Sequence, residues 1–161
     1  MDRFTSWLGK EAQGKQIFGY IIGTITLAFF FTAFFLSLFY STHTDLSSMS
    51  KSTADIVPGF LFLMIIPLIT EEIMFRFLPL MWAKEMRFSI KGILIVALIS
   101  SVFFGYIHGN AYNIVFQGTT GFLFSLLFLK CGGMQSKYFK ATCCTFTAHY
   151  MFNAIIYFLA L

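Results

Sequence analysis

The hydrophobic positions of this chain fall in long runs, not in a two-residue alternation or a narrow helical stripe. The runs are Ile17–Tyr40, Val57–Trp82, Gly92–His108, Ile114–Leu129 and Ala141–Leu161. A helix rises about 1.5 Å per residue, so crossing a hydrocarbon core of roughly 30 Å takes about 20 residues. Most of the runs meet that length, and Ile114–Leu129 is short of it. Lipid offers a backbone no hydrogen-bond partners, so continuous apolar runs predict helices. A transmembrane β-barrel would instead alternate apolar and polar residues in segments of about ten. The pattern predicts an all-α polytopic transmembrane bundle of about five spans. It divides the chain into a segment over 1–16, an anchor helix over 17–40 and a membrane core over 57–161. The first run is too long for a signal peptide and no small-x-small cleavage site follows it, which predicts a retained anchor.

Composition strengthens this reading. Apolar residues make up 58% and charged residues 11% of the chain, against about 25% charged in soluble domains. Such a chain cannot cover a water-facing surface and must be solvated largely by lipid, as a multi-pass protein of the cell membrane. With three cysteines and no C-x-x-C spacing, a secreted disulfide scaffold is excluded. Cys131, Cys143 and Cys144 are expected to be free thiols.

The charges set an orientation. Lys and Arg cluster before the first run (Arg3, Lys10, Lys15), between the second and third (Lys84, Arg87, Lys91) and between the fourth and fifth (Lys130, Lys137, Lys140). The Ser/Thr-rich connector over 41–54, with His43, carries only Lys51. Basic loops stay in the cytoplasm, so the N-terminus is expected inside. The net charge of +4 is therefore a topology signal. Nucleic acid is not an expected partner, because the bases are spread over separate loops.

The remaining charges are Glu71, Glu72 and Arg76, in the middle of the second run. An ionised side chain at helix centre costs about 2.5–3.5 kcal/mol even on lenient scales, so three need pairing or function. Glu72 and Arg76 are four apart and share a helix face, which suits a structural pair. Glu71 is turned about 100° away and lacks that partner, which suits chemistry. The fifth run carries His149 and Asn153, four apart, with Thr145 a turn earlier. The third carries Phe104 and His108. The stripe Gln117, Gly121 and Ser125 reads mainly as close helix packing, with Gln117 a weaker candidate for lining a cavity. A carboxylate in a dry site can act as general base on water, with one histidine assisting and a second histidine and an asparagine donating to an oxyanion. The pattern requires no cofactor. Zinc is the alternative, with Glu71, His108 and His149 as its ligands. The chemistry either way is hydrolysis of an amide within or near the membrane, on a membrane-associated peptide or protein.

The motifs Glu71-Glu72-Ile-Met-Phe-Arg76, Phe104-Gly-Tyr-Ile-His108 and His149-Tyr-Met-Phe-Asn153, in this order on successive spans, resemble those of the CPBP family. These are intramembrane proteases of the CAAX-protease, bacteriocin-processing or Abi type. The resemblance covers about Pro58 to the C-terminus. It implies a helical membrane endopeptidase in which Glu71 and His108 activate water, His149 and Asn153 form the oxyanion site, and Glu72 and Arg76 support them. The absence of H-E-x-x-H favours glutamate over metal chemistry. The competing readings are a non-catalytic bacteriocin-immunity or scaffold protein of the same fold, and a proton-coupled transporter. Transporters usually show repeats with broken helices, and none is visible.

Depth raises a conflict. Counted along straight spans, Glu71 lies about 21 Å from one surface and His108 about 24 Å from the other, leaving them some 15 Å apart in height. Sharing a water therefore predicts that the third and fourth helices stop short, so that the hairpin over 109–113 dips into the protein.

Overall fold

The computed structural model describes residues 3–39, 63–109 and 111–160. Its elements are α1 (Arg3–Leu8), α2 (Lys15–Phe39), α3 (Ile65–Glu72), a π-helical turn (Ile73–Phe77), α4 (Leu78–Glu85), α5 (Ile90–Ile107), α6 (Ala111–Lys130), a short 3-10 turn (Gly133–Gln135) and α7 (Tyr138–Ala160). Over the described residues the architecture is all-helical, as the apolar runs predict. By length and composition α2, α5 and α6 can each cross a membrane. The 41–54 connector and His43 lie outside the described residues.

The helix of the second run is continuous but not uniform. Four of its buried positions, Leu68, Glu72, Arg76 and Leu80, recur at a four-residue interval, and Ala83 follows three residues later. In an unbroken α-helix, four residues overshoot one turn by about 40°, so this face would spiral away. The wider π turn takes up the drift. A cause lies beside it in the sequence. Pro79 has no N–H to offer the carbonyl of Phe75, four residues back. The hydroxyl of Ser100 on α5 donates to that carbonyl at 2.7 Å, so the freed acceptor is satisfied from the neighbouring helix.

The α6 helix is the centre of the bundle. It pairs with α5 as a tight hairpin and meets α2 and α7 on its other sides. The hairpin depends on two glycines. A Cβ on Gly105 would sit 2.5 Å from the carbonyl oxygen of Asn113, and one on Gly118 would sit 3.1 Å from that of Ser101. Two apolar clusters fill the interior. One joins Ile21, Ile25 and Ala28 of α2 to Phe124 and Leu127 of α6 and to Ala148 and Phe152 of α7. The other joins Leu8 of α1, Leu80 and Ala83 of α4, Ile93 and Ala97 of α5, and Phe128 of α6. Outside, the large side chains of α5 at Ile95, Leu98, Ile99, Val102 and Phe103 are exposed, which is the surface that lipid solvates. All three cysteines are free, Cys131 and Cys144 inside the bundle and Cys143 exposed.

The segment before α2 contains a short helix that hydrophobic patterning does not reveal, and it straps the basic end of the bundle. Lys130, at the end of α6, donates to the carbonyls of Trp7 at 2.6 Å and Lys10 at 2.5 Å. The N–H of Ala12 returns a bond to the carbonyl of Lys130 at 2.9 Å. Gln135 donates to the Gly9 carbonyl at 2.7 Å, and Lys137 and Lys140 converge on Glu11.

Two outcomes follow from this packing. Gly105→Ala forces a side chain into backbone, and thermal unfolding in detergent should show a loss of about 3 kcal/mol or more, the upper end for overpacking. The hydrogen bonds from Lys137 and Lys140 hold the Glu11 carboxyl below its ordinary range. A lowered carboxyl contributes stability in full above the ordinary glutamate range and loses it as pH falls through the lowered value. Over that acidic window wild-type thermal stability should fall more steeply than that of Glu11→Gln, and the two should converge at the acid end.

Candidate active site

The elements bring together side chains that lie far apart in the sequence. Glu71 and Glu72 close α3 and Arg76 lies in the π turn, while His108 follows the last turn of α5 and His149 sits midway along α7. Glu72 and Arg76 are enclosed, with side chains 0% and 1% exposed, and Arg76 Nη1 stands 3.3 Å from Glu72 Oε1. The pairing expected from their spacing is present. The spacing does not reveal that the same carboxylate oxygen also accepts from His149 Nδ1 at 2.8 Å. The hydroxyl of Thr145, a turn earlier on α7, lies beside the same carboxylate. Glu72 thus joins the π-turn helix to α7.

Glu71 faces the other way and is reached from two sides. His108 Nε2 is 3.8 Å from its Oε1 and His149 Nε2 is 3.8 Å from its Oε2. The depth conflict is resolved in favour of contact between Glu71 and His108. The chain turns sharply after His108 at Gly109, whose φ is +116°, and the Asn113 side-chain amide donates to the His108 carbonyl. Glu71 and His108 are about a quarter exposed, at 25% and 27%, so the centre has an open side and a closed side.

The hydrogen bonds fix how the imidazoles present themselves. His108 Nδ1 lies 2.6 Å from the carbonyl oxygen of Phe104, an acceptor only. Nδ1 must therefore carry the proton, and the Nε2 of a neutral ring offers a lone pair toward Glu71. In His149, Nδ1–H points at the Glu72 carboxylate, and Nε2 again faces Glu71. Two imidazole edges thus converge on one carboxylate.

Aromatic rings wall the closed side. Phe104 lies edge-on to His108, with centroids 4.6 Å apart, and Arg76 Cζ lies 4.2 Å above its ring. Phe124 of α6 is 4.9 Å from the His149 ring. Space for this stack is left by Gly121, where a Cβ would meet Phe104 Cδ1 at 2.9 Å and Arg76 Nη2 at 3.1 Å. The stripe on α6 therefore reaches the site through Gly121. Ser125 bonds its own helix at the Gly121 carbonyl. Gln117 is half-buried, and no hydrogen bond or ion pair joins its side chain to the site among the described residues. Asn153 follows His149 by one turn, is half-buried, and makes no side-chain hydrogen bond among the described residues. Phe124 and Gly121 are contributors that patterning alone leaves as packing. For Glu72 the missed signal is its place in the four-residue repeat with Leu68, Arg76 and Leu80.

Glu71, His108 and His149 offer a carboxylate and two imidazole nitrogens, a donor set that suits zinc in kind. As the side chains stand, no group of three His, Cys, Asp or Glu among the described residues is gathered closely enough to hold a metal ion.

Fold and centre together define a class: a helical membrane protein that encloses a carboxylate–histidine cluster within its bundle. A family model described as type II CAAX prenyl endopeptidase Rce1-like matches residues 53–155, and the chain belongs to this family. Membership makes it a CAAX-type intramembrane endopeptidase in general class, acting on a membrane-associated substrate. No curated protein and no solved structure matches the chain.

Because Glu72 and Arg76 share an enclosed site, removing one strands the other. Arg76→Ala should destabilise the protein by about 3–5 kcal/mol in detergent. The double variant Glu72→Gln/Arg76→Met, which removes both charges, should unfold at a higher temperature than Arg76→Ala.

Proposed function

We propose that the protein is an intramembrane endopeptidase in which Glu71 and His108 activate the attacking water and His149 and Asn153 stabilise the oxyanion. The observation that carries this reading is the position of the Glu71 carboxylate, 3.8 Å from the Nε2 atoms of both histidines. A water at a normal hydrogen-bond distance of about 2.8 Å from both groups spans the gap between Glu71 and His108. It donates one proton to His108 Nε2 and the other to Glu71, which takes it as the oxygen attacks the scissile carbonyl. The protonated Glu71 then gives that proton to the departing amine.

The oxyanion role requires a proton on His149 Nε2, which with Nδ1–H held on Glu72 makes the ring an imidazolium facing both carboxylates. Nδ1–H stays on Glu72 while Nε2–H faces the reacting centre. With Arg76 it brings two positive charges against the two carboxylates, a neutral set in a medium that penalises net charge. The side-chain amide of Asn153, a turn away, supplies the second donor. Glu72 and Arg76 act at one remove, by orienting His149. In this reading the core over 57–161 is the catalytic unit, carried by five spans with the N-terminus in the cytoplasm of a multi-pass cell-membrane protein.

Glu71→Gln keeps the shape and removes the base. It should retain the wild-type thermal unfolding temperature and lose about 10²–10⁴-fold in cleavage, measured on the peptide that copurifies with the Glu71→Gln form. Unchanged cleavage by a folded Glu71→Gln protein would sink the proposal and leave a non-catalytic immunity or scaffold role. Wild-type cleavage that is abolished by a chelator and restored by zinc would assign Glu71 to a metal instead.

A further inference from the structure

Remote from this centre, on the far side of α6, a cavity of about 270 Å³ opens between α1, α2 and α6. Its floor is unusual for a lipid-facing helix. Gly19 and Gly23 lie on α2 one turn apart, with Leu27 a turn further on, and a Cβ at either glycine would meet nothing within 4 Å. Among the described residues no neighbouring helix occupies these glycines, unlike Gly105 and Gly118. Leu123, Leu126 and Leu127 of α6 form the facing wall. From Gly19 to Leu27 the groove runs about 12 Å, close to the half-thickness of a hydrocarbon core of about 30 Å.

One end of this apolar groove is positively charged. Lys130 lines it and is only 4% exposed. Its ammonium spends two donors on the carbonyls of Trp7 and Lys10 and lies 4.4 Å from the Trp7 ring and 5.3 Å from the Tyr20 ring. Among the described residues no carboxylate pairs with it. Lys15 extends the same α2 stripe one turn beyond Gly19, at the first residue of the helix, and is exposed. Trp7 donates its indole N–H to the Tyr20 hydroxyl at 3.1 Å, so two amphipathic rings mark the level where hydrocarbon meets headgroups. A ligand that fits has a chain about one leaflet long and an anionic head beside two lysines.

We infer that this groove binds one anionic phospholipid, its acyl chain along Gly19, Gly23 and Leu27 and its phosphate at the Lys15–Lys130 end. Basic pockets between membrane helices hold acidic headgroups by the same combination of charge and apolar cover. The α2 glycine pair could also seat the α2 of a second copy, but α2 carries no acidic residue and so brings no negative charge to Lys130, whereas a phosphate does. The site is independent of the proposed catalytic centre.

The full-length protein, reconstituted in nanodiscs of equimolar phosphatidylglycerol and phosphatidylcholine and then released into mild detergent, is examined by native mass spectrometry. Wild type should carry phosphatidylglycerol in clear excess, at one lipid per chain. Gly19→Leu and Gly23→Leu place a side chain in open space and should lose the bound lipid without lowering the unfolding temperature in zwitterionic detergent. Lys15→Gln, an exposed change, should lower the preference for phosphatidylglycerol about fivefold, the effect of one basic residue near an anionic headgroup. The inference is overturned by equal retention of the two lipids in wild type, by full retention in Gly23→Leu, or by a disulfide-linked dimer forming through Gly23→Cys, which would give the groove to a second copy.

Discussion

A carboxylate with no access to solvent is tolerable only where charge and hydrogen bonds reach it from inside the protein, and Glu72 has both. Arg76 approaches from its own helix and His149 from α7, on the same oxygen. Removing Arg76 leaves an ion in a medium where an uncompensated charge costs several kcal/mol, and removing His149 takes away the hydrogen bond that ties the acid to α7. Helix packing in lipid lacks the hydrophobic drive it has in water, so polar contacts between helices matter more to which faces meet. The rotation of α7 that places His149 Nε2 near Glu71 is the rotation that satisfies Glu72. One buried interaction therefore orients a helix and a reactive side chain together.

The π turn is the backbone counterpart of this arrangement. It keeps Leu68, Glu72, Arg76 and Leu80 on one inward face, while adjacent Glu71 is left beside that face and partly open. A regular helix would spread the same residues around its axis. Pro79 frees a carbonyl and Ser100 satisfies it from α5, so the irregularity is braced by the helix that carries Phe104 and His108. Phe104 then touches the His108 ring and underlies Arg76, in space that Gly121 leaves clear. Backbone irregularity, close packing and electrostatics act on the same few ångströms.

Much of this was legible in the sequence because membranes simplify the code. Apolar run length locates α2, α5, α6 and α7 to within a few residues, since lipid leaves the backbone no alternative to helix. The residues of the centre stood out because charge in such a run is costly, and their spacing paired Glu72 with Arg76 correctly. Three features were harder to see. The Glu72–His149 bond joins residues 77 positions apart, and periodicity says nothing about contacts at that range. The π turn alters the angular count that any helical-wheel argument assumes, and Pro79 and the four-residue repeat were its only traces. α1 spans six residues, too few to register a helical period, and it is held by Lys130 and by Leu8 in the core.

The unequal reach of the two partners of Glu72 has a consequence for biogenesis. Arg76 is four residues away, so the ion pair can form as soon as that helix leaves the ribosome, and the acid enters the bilayer already matched. His149 lies 77 residues further on. At about 5–20 residues per second of synthesis it arrives roughly 4–15 s later. The guanidinium thus escorts the acid through insertion, and the imidazole is docked afterwards, as the nascent chain delivers α7.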